Sequence, residues 1–177
     1  CIDASVAGES LMADVALIAS SFFPRVGGAE EHVRRVASAL RDCGIDVVVW
    51  TVDQGDDVPE ELDGIRVRAL PCPMPARSLR AVISFAWRLP GAALQWRRML
   101  RRDRPRILHV HCFGPNGVWA TAIARIARIP FIVTSHGETF GDANGVFDQS
   151  ALLRSSLRSA LATADAVTAC SAFTAHD

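Results

Sequence analysis

Two kinds of apolar pattern alternate along this chain. Asp14 to Ala19 and Val47 to Val52 are continuous apolar runs without polar alternation, as expected for strands covered on both faces of a parallel sheet. Between them Val33, Val36, Ala37 and Leu40 recur at helical spacing, and Gly44 marks where that helix should stop. Strand, helix and strand close within about forty residues, a length suited to a right-handed parallel crossover.

The same alternation continues. Asp53 to Asp63 is acidic and turn-rich, Ile65 to Leu70 reads as a short strand, and Pro71, Pro73 and Pro75 forbid regular structure after it. Ser78 to about Arg102 predicts a long helix, bent or broken near Pro90-Gly91. Ile107–His111 and Phe131–Thr134 follow as strands around a helix over 117–128, then a loop with Gly141 and Gly145, a helix over 149–163 and a strand over 166–170. Ser171 is placed as the N-cap of a further helix. Strands alternating with helices throughout define an α/β fold, a Rossmann-like doubly wound parallel sheet in a single domain over residues 12–177. Residues 1–11 read as a leader without fixed structure, with Met12 a candidate start.

Composition adds a charge pattern. The basic residues are all arginine, and net charge is zero, yet Arg77 to Arg106 holds nine arginines against one acid, Asp103, a net +8. Such a patch concentrates anions or anionic lipid headgroups, or is simply a solvated helix face. The stretch Leu79 to Trp96 contains Arg80, Arg88 and Pro90, which makes it too polar to span a bilayer. The cysteines at 1, 43, 72, 112 and 170 are scattered, odd in number and free of C-x-x-C spacing, the pattern of reduced thiols in a cytoplasmic protein. Cys43 and Cys170 border apolar segments and are expected to pack as small hydrophobes.

In an open α/β sheet, ligands bind at the carboxyl ends of the strands. The unusual residues fall there: Gly27-Gly28 after the first strand, His111 and Asn116 after the strand that begins at Ile107, Ser135-His136-Gly137 after the next, and Ser171 after the last. The glycine pair permits positive φ and close approach of backbone to a ligand at a helix start, where phosphate or a sugar hydroxyl fits; a plain tight turn is the alternative. His109 and His111 share one strand face, but with Cys112 pointing the other way no third metal ligand is evident. His136 is placed at a pocket rim, as donor or acid, or as a structural histidine. No G-x-G-x-x-G fingerprint, G-x-S-x-G elbow or Cys–His signature is present, and without lysine a Walker loop is excluded.

These pieces together resemble the N-terminal half of the family 4 GT-B glycosyltransferases. The matching segments are Phe23-Pro24 with Gly27-Gly28-Ala29-Glu30, Cys43-Gly44-Ile45-Asp46-Val47, Ile107 to His111, Pro130 to Gly137, and Ala164 to Ser171. The resemblance implies a two-domain transferase that moves a sugar, with retention, from a nucleotide-sugar donor to a sugar, lipid-linked or small-molecule acceptor. It implies no metal or other cofactor, since the nucleotide-sugar is a substrate, and no nucleic-acid partner. It assigns Gly27 and Gly28 to the donor diphosphate and acceptor, Glu30 to the acceptor, and His136 to the transferring sugar as catalytic residue. Asn116 and Thr134 are further acceptor-side candidates.

By the same resemblance the nucleotide-binding domain is expected to lie outside this chain, so the fragment alone should not turn over. The expected location is cytoplasmic, with contact to a membrane surface through Arg77–Arg106. The alternatives are a non-catalytic sugar or lipid-headgroup binding module, or one half of a split transferase. A nicotinamide enzyme is disfavoured by the missing glycine fingerprint.

Overall fold

The computed structural model describes residues 12–55, 57–75, 78–137, 147, 150–172 and 174–176. The expected leader over 1–11, Arg77, and the loop glycines 141 and 145 lie outside the described residues. The elements run β1 (Val15–Ala19), α1 (Gly28–Asp42), β2 (Val47–Val52), β3 (Glu61–Leu62), β4 (Ile65–Leu70), α2 (Leu79–Asp103), β5 (Ile107–His111), α3 (Pro115–Ala127), β6 (Phe131–Ser135), α4 (Ala151–Thr163) and β7 (Ala166–Ala169), closed by a short 3-10 turn over Thr174–His176. They form one seven-stranded sheet in the order β3-β4-β2-β1-β5-β6-β7. Every pair is parallel except β3 with β4. The chain therefore winds outward in both directions from β1, and the switch point lies between β1 and β5.

The continuous apolar strands are buried from both sides. Val15, Leu17, Val47 and Val49 face α1, packing with Val33 and Ala37. Ala16, Ile18, Val48, Trp50, Leu108 and Val110 face the opposite way, toward Trp96 of α2, Ala120 and Ala124 of α3, and Leu153 and Leu157 of α4. A strand with both faces covered disfavours polar side chains on either face, which explains the missing alternation.

Gly44 ends α1 at φ +78. Its N–H reaches Arg41 O at 2.8 Å while the Ile45 N–H reaches Leu40 O at 3.0 Å, the paired bonds that close a helix through a left-handed glycine. The acidic segment hides a hairpin that sequence periodicity did not predict: β3 is only two residues long, and Asp63 and Gly64 turn it into β4 at φ 52 and 74. The proline segment after β4 is anchored by tryptophans. Trp96 Nε1 donates to Pro71 O at 2.9 Å and Trp119 Nε1 to Pro73 O at 3.1 Å, so carbonyls with no ladder partner are satisfied by indoles.

Three expectations are corrected. Of the two alternatives at Pro90-Gly91, bent or broken, the break is overturned: α2 continues as one 25-residue helix with Pro90 inside it. Pro90 and the residue four before it, Ala86, are both exposed, so the carbonyl that loses its helical donor faces water. Cys43 and Cys170 do not pack as hydrophobes but are exposed, one at the C-cap of α1 and the other past the end of edge strand β7. Ser171 does cap a helical turn, accepting the Thr174 N–H at 3.2 Å, but the turn is 3-10. No described helix is long and apolar enough to cross a membrane.

Candidate functional site

At the switch point the carboxyl ends of β1, β5 and β6 meet the start of α1. Ala19 lies beside His111 in register, and His111 beside Thr134. The loop after β1 delivers the chain to Gly27, the N-cap of α1, and its first-turn N–H groups point out of the helix start.

The glycine pair does not use positive φ, which corrects the sequence expectation. Gly27 is extended at φ −155 and Gly28 is the first helical residue. What lies close to Gly27 is a side chain: a Cβ there would lie 2.6 Å from Glu30 Oε2, so a larger residue would displace that carboxylate. The Glu30 carboxylate folds back over its own helix start, where it accepts the Ser21 hydroxyl. Around a Cβ at Gly28, by contrast, the space is open within 4 Å. Gly28 is exposed, and this open space lies beside the Glu30 carboxylate at the helix start.

One turn further along α1, His32 meets two histidines from the sheet. Its ring lies 4.9 Å from that of His136 and 5.7 Å from that of His111, centroid to centroid. His111 Nδ1 is 3.4 Å from His136 Nε2. Gly137 supports the turn that presents His136, at φ +88 with its N–H on Ser135 Oγ at 3.3 Å. His109 lies under this group: its ring is 4.2 Å from that of His111, and its Nε2 is 2.6 Å from Thr134 Oγ1.

Burial sets the protonation of the two strand histidines. His109 is pulled down to about 4, first by burial and then by the charges of His32 and His136. His111 is pulled down to about 2, again mainly by burial, with His109, His136 and His32 adding to it. Both imidazoles are therefore neutral near pH 7. The Nε2 of His111 has no hydrogen-bond partner among the described residues.

The weaker sequence candidates sit below the surface. Thr134 is 4% exposed, and its hydroxyl bridges His109 to Thr168 Oγ1 at 2.7 Å. Asn116 is 1% exposed, and its Nδ2 donates to the carbonyls of Ile18, His111 and Cys112 at 3.4, 3.2 and 3.2 Å. The structure thus brings His111 and His136 together, links them to the glycine helix through His32, and places Asn116 as a clasp between the ends of β1 and β5. Ser171 stands apart, beyond β7 at the sheet edge.

His32 escaped sequence reasoning. The available signal was its place one residue before buried Val33, on the sheet-facing side of a helix that starts at the ligand edge. His32 and His136 each bring a ring nitrogen to within 4.8 Å of one another and of His111, a grouping that spacing along β5 alone does not reveal.

A single α/β unit wound from a β1–β5 switch point is a Rossmann-like domain, consistent with the N-terminal half of a GT-B protein. The sequence profile described as "Glycosyl transferase 4-like domain" matches residues 27–177, and the chain belongs to that family. It is also 28% identical over 117 residues to the Sulfoquinovosyl transferase SQD2 of Arabidopsis thaliana, an alignment that takes in 64% of this chain and 21% of that protein. The chain thus spans about a fifth of that relative's length.

Proposed function

We propose that this chain is the acceptor-side, N-terminal domain of a retaining glycosyltransferase that moves a sugar from a nucleotide-sugar to an acceptor hydroxyl. The observation that carries the reading is the junction itself: in a chain of this family, the exposed glycines at the start of α1, with Glu30 folded beside them, and the histidine after β6 converge on one sheet edge. The Arabidopsis relative is a sulfoquinovosyl transferase by name. Transfer of a sugar is the part of that name we carry over.

The chemistry suits these groups. Glycosyl transfer develops positive charge on the sugar and negative charge on the departing diphosphate, and outward N–H groups at the start of α1 stabilise the latter. His136 holds the transferring sugar beside the reacting centre, with the neutral His111 behind it. Glu30, aligned by Ser21, accepts a hydrogen bond from the acceptor. Thr134 and Asn116 act from below by fixing His109 and the strand ends. Attack on the face the diphosphate leaves depends on positioning both substrates, so the nucleotide has to be gripped from the opposite side, and we assign that wall to a second domain.

The acceptor side faces a lipid surface through α2. Leu79, Ile83, Trp87 and Leu94 are 76, 50, 83 and 56% exposed and share one helix side, which continues into exposed Arg97, Arg98 and Arg101. An apolar stripe with an arginine cluster on a helix that does not span suits insertion at an anionic interface. A groove of about 450 Å3 runs from Trp87 and Arg88 to Val52 and Asp53 at the end of β2, joining that side to the ligand edge. It offers a route for a lipid-linked acceptor.

Calorimetry on the 177-residue chain is expected to show only weak nucleotide-sugar binding and no transfer. Tight binding with turnover by this chain alone would refute the half-enzyme reading. In flotation with phosphatidylglycerol vesicles, the chain should bind, and Trp87→Ala with Arg97→Glu and Arg98→Glu should abolish it. Equal binding to neutral vesicles would remove the electrostatic part of the lipid reading.

A further inference from the structure

We propose that the groove between α2 and the ends of β2 and β4 is a binding subsite for a neutral sugar ring, the headgroup of the lipid-linked acceptor. Assigning that ring to an acceptor rests on the transferase reading above; the binding itself does not. The groove has a volume of about 450 Å3, within the range of roughly 300–1,000 Å3 over which clefts hold small ligands. Its place follows from the fold: Val52 ends β2 and Asp53 follows it, at the same carboxyl edge of the sheet as the end of β5. Gln54 Nε2 donates to Ser20 O at 3.0 Å, which ties the loop after β2 to the loop that carries Ser21 and its bond to Glu30.

The α2 wall is an i, i+4, i+8 row of Trp87, Gly91 and Gln95, with Arg88 beside it. A Cβ on Gly91 would meet nothing within 4 Å, so the row carries a notch between an indole and an amide. Trp87 is 83% exposed, which leaves its ring available to a ligand. Across the groove, Asp53 Oδ1 accepts the Gly55 N–H at 3.0 Å, which steadies the carboxylate and leaves its second oxygen to accept from a ligand. Arg88 and Gln95 hold no hydrogen bond or ion pair among the described residues.

These groups select the ligand. A pyranose offers a C–H face that lies on an indole and a rim of hydroxyls that donate and accept; Asp53 accepts, Arg88 donates and the Gln95 amide does both. Phosphate would be repelled by Asp53, and an acyl chain would strip water from three polar side chains without replacing their hydrogen bonds. Exposed Leu79 and Ile83 continue the side of α2 that carries Trp87, so a ring in the notch lies where the lipid surface meets the ligand edge.

The test uses the 177-residue chain with its four tryptophans replaced by 5-fluorotryptophan and read by fluorine NMR, Trp87→Phe identifying the Trp87 signal. The probes are the methyl α-pyranosides of glucose, galactose and mannose. At least one should shift the Trp87 signal saturably, with a Kd of about 1–20 mM for so open a site. Gly91→Leu, whose side chain enters the notch, and Gln95→Ala should each weaken that binding by roughly fivefold or more, whereas Ile126→Ala on α3 should not change it. Unmoved signals from buried Trp50 and Trp96 show that each variant is folded, and the exposed Gln95→Ala change carries the test if Gly91→Leu disturbs α2. No saturable shift with any of the three glycosides up to about 100 mM would overturn the proposal, and so would binding unchanged in both groove variants. An equal shift with sodium phosphate would overturn the choice of a neutral ring. No donor or second domain enters this measurement, so its failure is distinct from that of the transferase reading, which turnover by this chain alone would refute.

Discussion

Asn116 offers the sharpest test of how the ligand edge is held together. Its amide is 1% exposed and donates to carbonyls from the end of β1 and from the end of β5 and the residue after it, at 3.2–3.4 Å. Only two N–H protons serve those three acceptors, so the clasp amounts to two hydrogen bonds, one of them shared. At about 1 kcal/mol for each, with a further contribution from buried carbonyls left without a donor, Asn116→Ala should cost roughly 2–3 kcal/mol. For a domain of this size that lowers Tm by about 4–12 °C.

Asn116→Asp keeps the shape and reverses the chemistry, because a carboxylate would then face carbonyl oxygens away from water. Its cost should exceed that of the alanine variant, at roughly 3–5 kcal/mol. Urea unfolding followed by circular dichroism measures both. If Asn116 were instead an acceptor contact at the open edge, Asn116→Ala would stay within about 0.5 kcal/mol of the parent, and that result would refute the clasp.

Trp50 Nε1 donates to Asp103 Oδ2 at 2.8 Å, and Asp103 is 1% exposed; Trp50→Phe should therefore destabilise by roughly 2–4 kcal/mol in urea unfolding, whereas Asp103→Asn, which still accepts that bond without a charge, should be nearly neutral. A Cβ at Gly117 would lie 2.4 Å from the ring of buried Phe113, so Gly117→Ala should lose about 1–3 kcal/mol despite its better helix propensity, and a gain in Tm would contradict the packing. Burial, assisted by the Asp53 charge, pushes the Cys72 thiol up to about 12. Maleimide at pH 8 should thus label exposed Cys43 and Cys170 well before Cys72. Because the native state holds that proton longer than the unfolded chain does, Cys72 stabilises fully below about pH 9, and its contribution fades as pH rises from 9 toward 12. Cys72→Ser should flatten the alkaline limb of the stability curve.

The backbone of this fold was legible because its signals are local. Uninterrupted apolar runs mark doubly covered strands, and a glycine after the helical stripe marks the end of α1. The failures share a cause as well. β3 is too short to show a period, and Pro90 breaks a helix only where its orphaned carbonyl is denied water. Whether Cys43 and Cys170 are buried depends on which side of a helix end or an edge strand the fold leaves open.

The histidine group shows where such reading stops. Period two places His109 and His111 on one face of β5, and the same parity continues through Ile132 and Thr134 to His136. That puts His111 and His136 on the α1 side of the sheet, but which rungs lie side by side depends on the parallel register of His111 with Thr134, which no local pattern encodes. His32 depends on a further unknown, the rotation of α1 about its axis. Val33 and Ala37, buried against Val15 and Leu17, fix that rotation, and a slip of one residue would turn His32 by about 100° away from the edge. The three rings meet because a hydrophobic stripe chose the angle of a helix, so the arrangement of polar groups at this edge is a consequence of apolar packing by their neighbours in the chain.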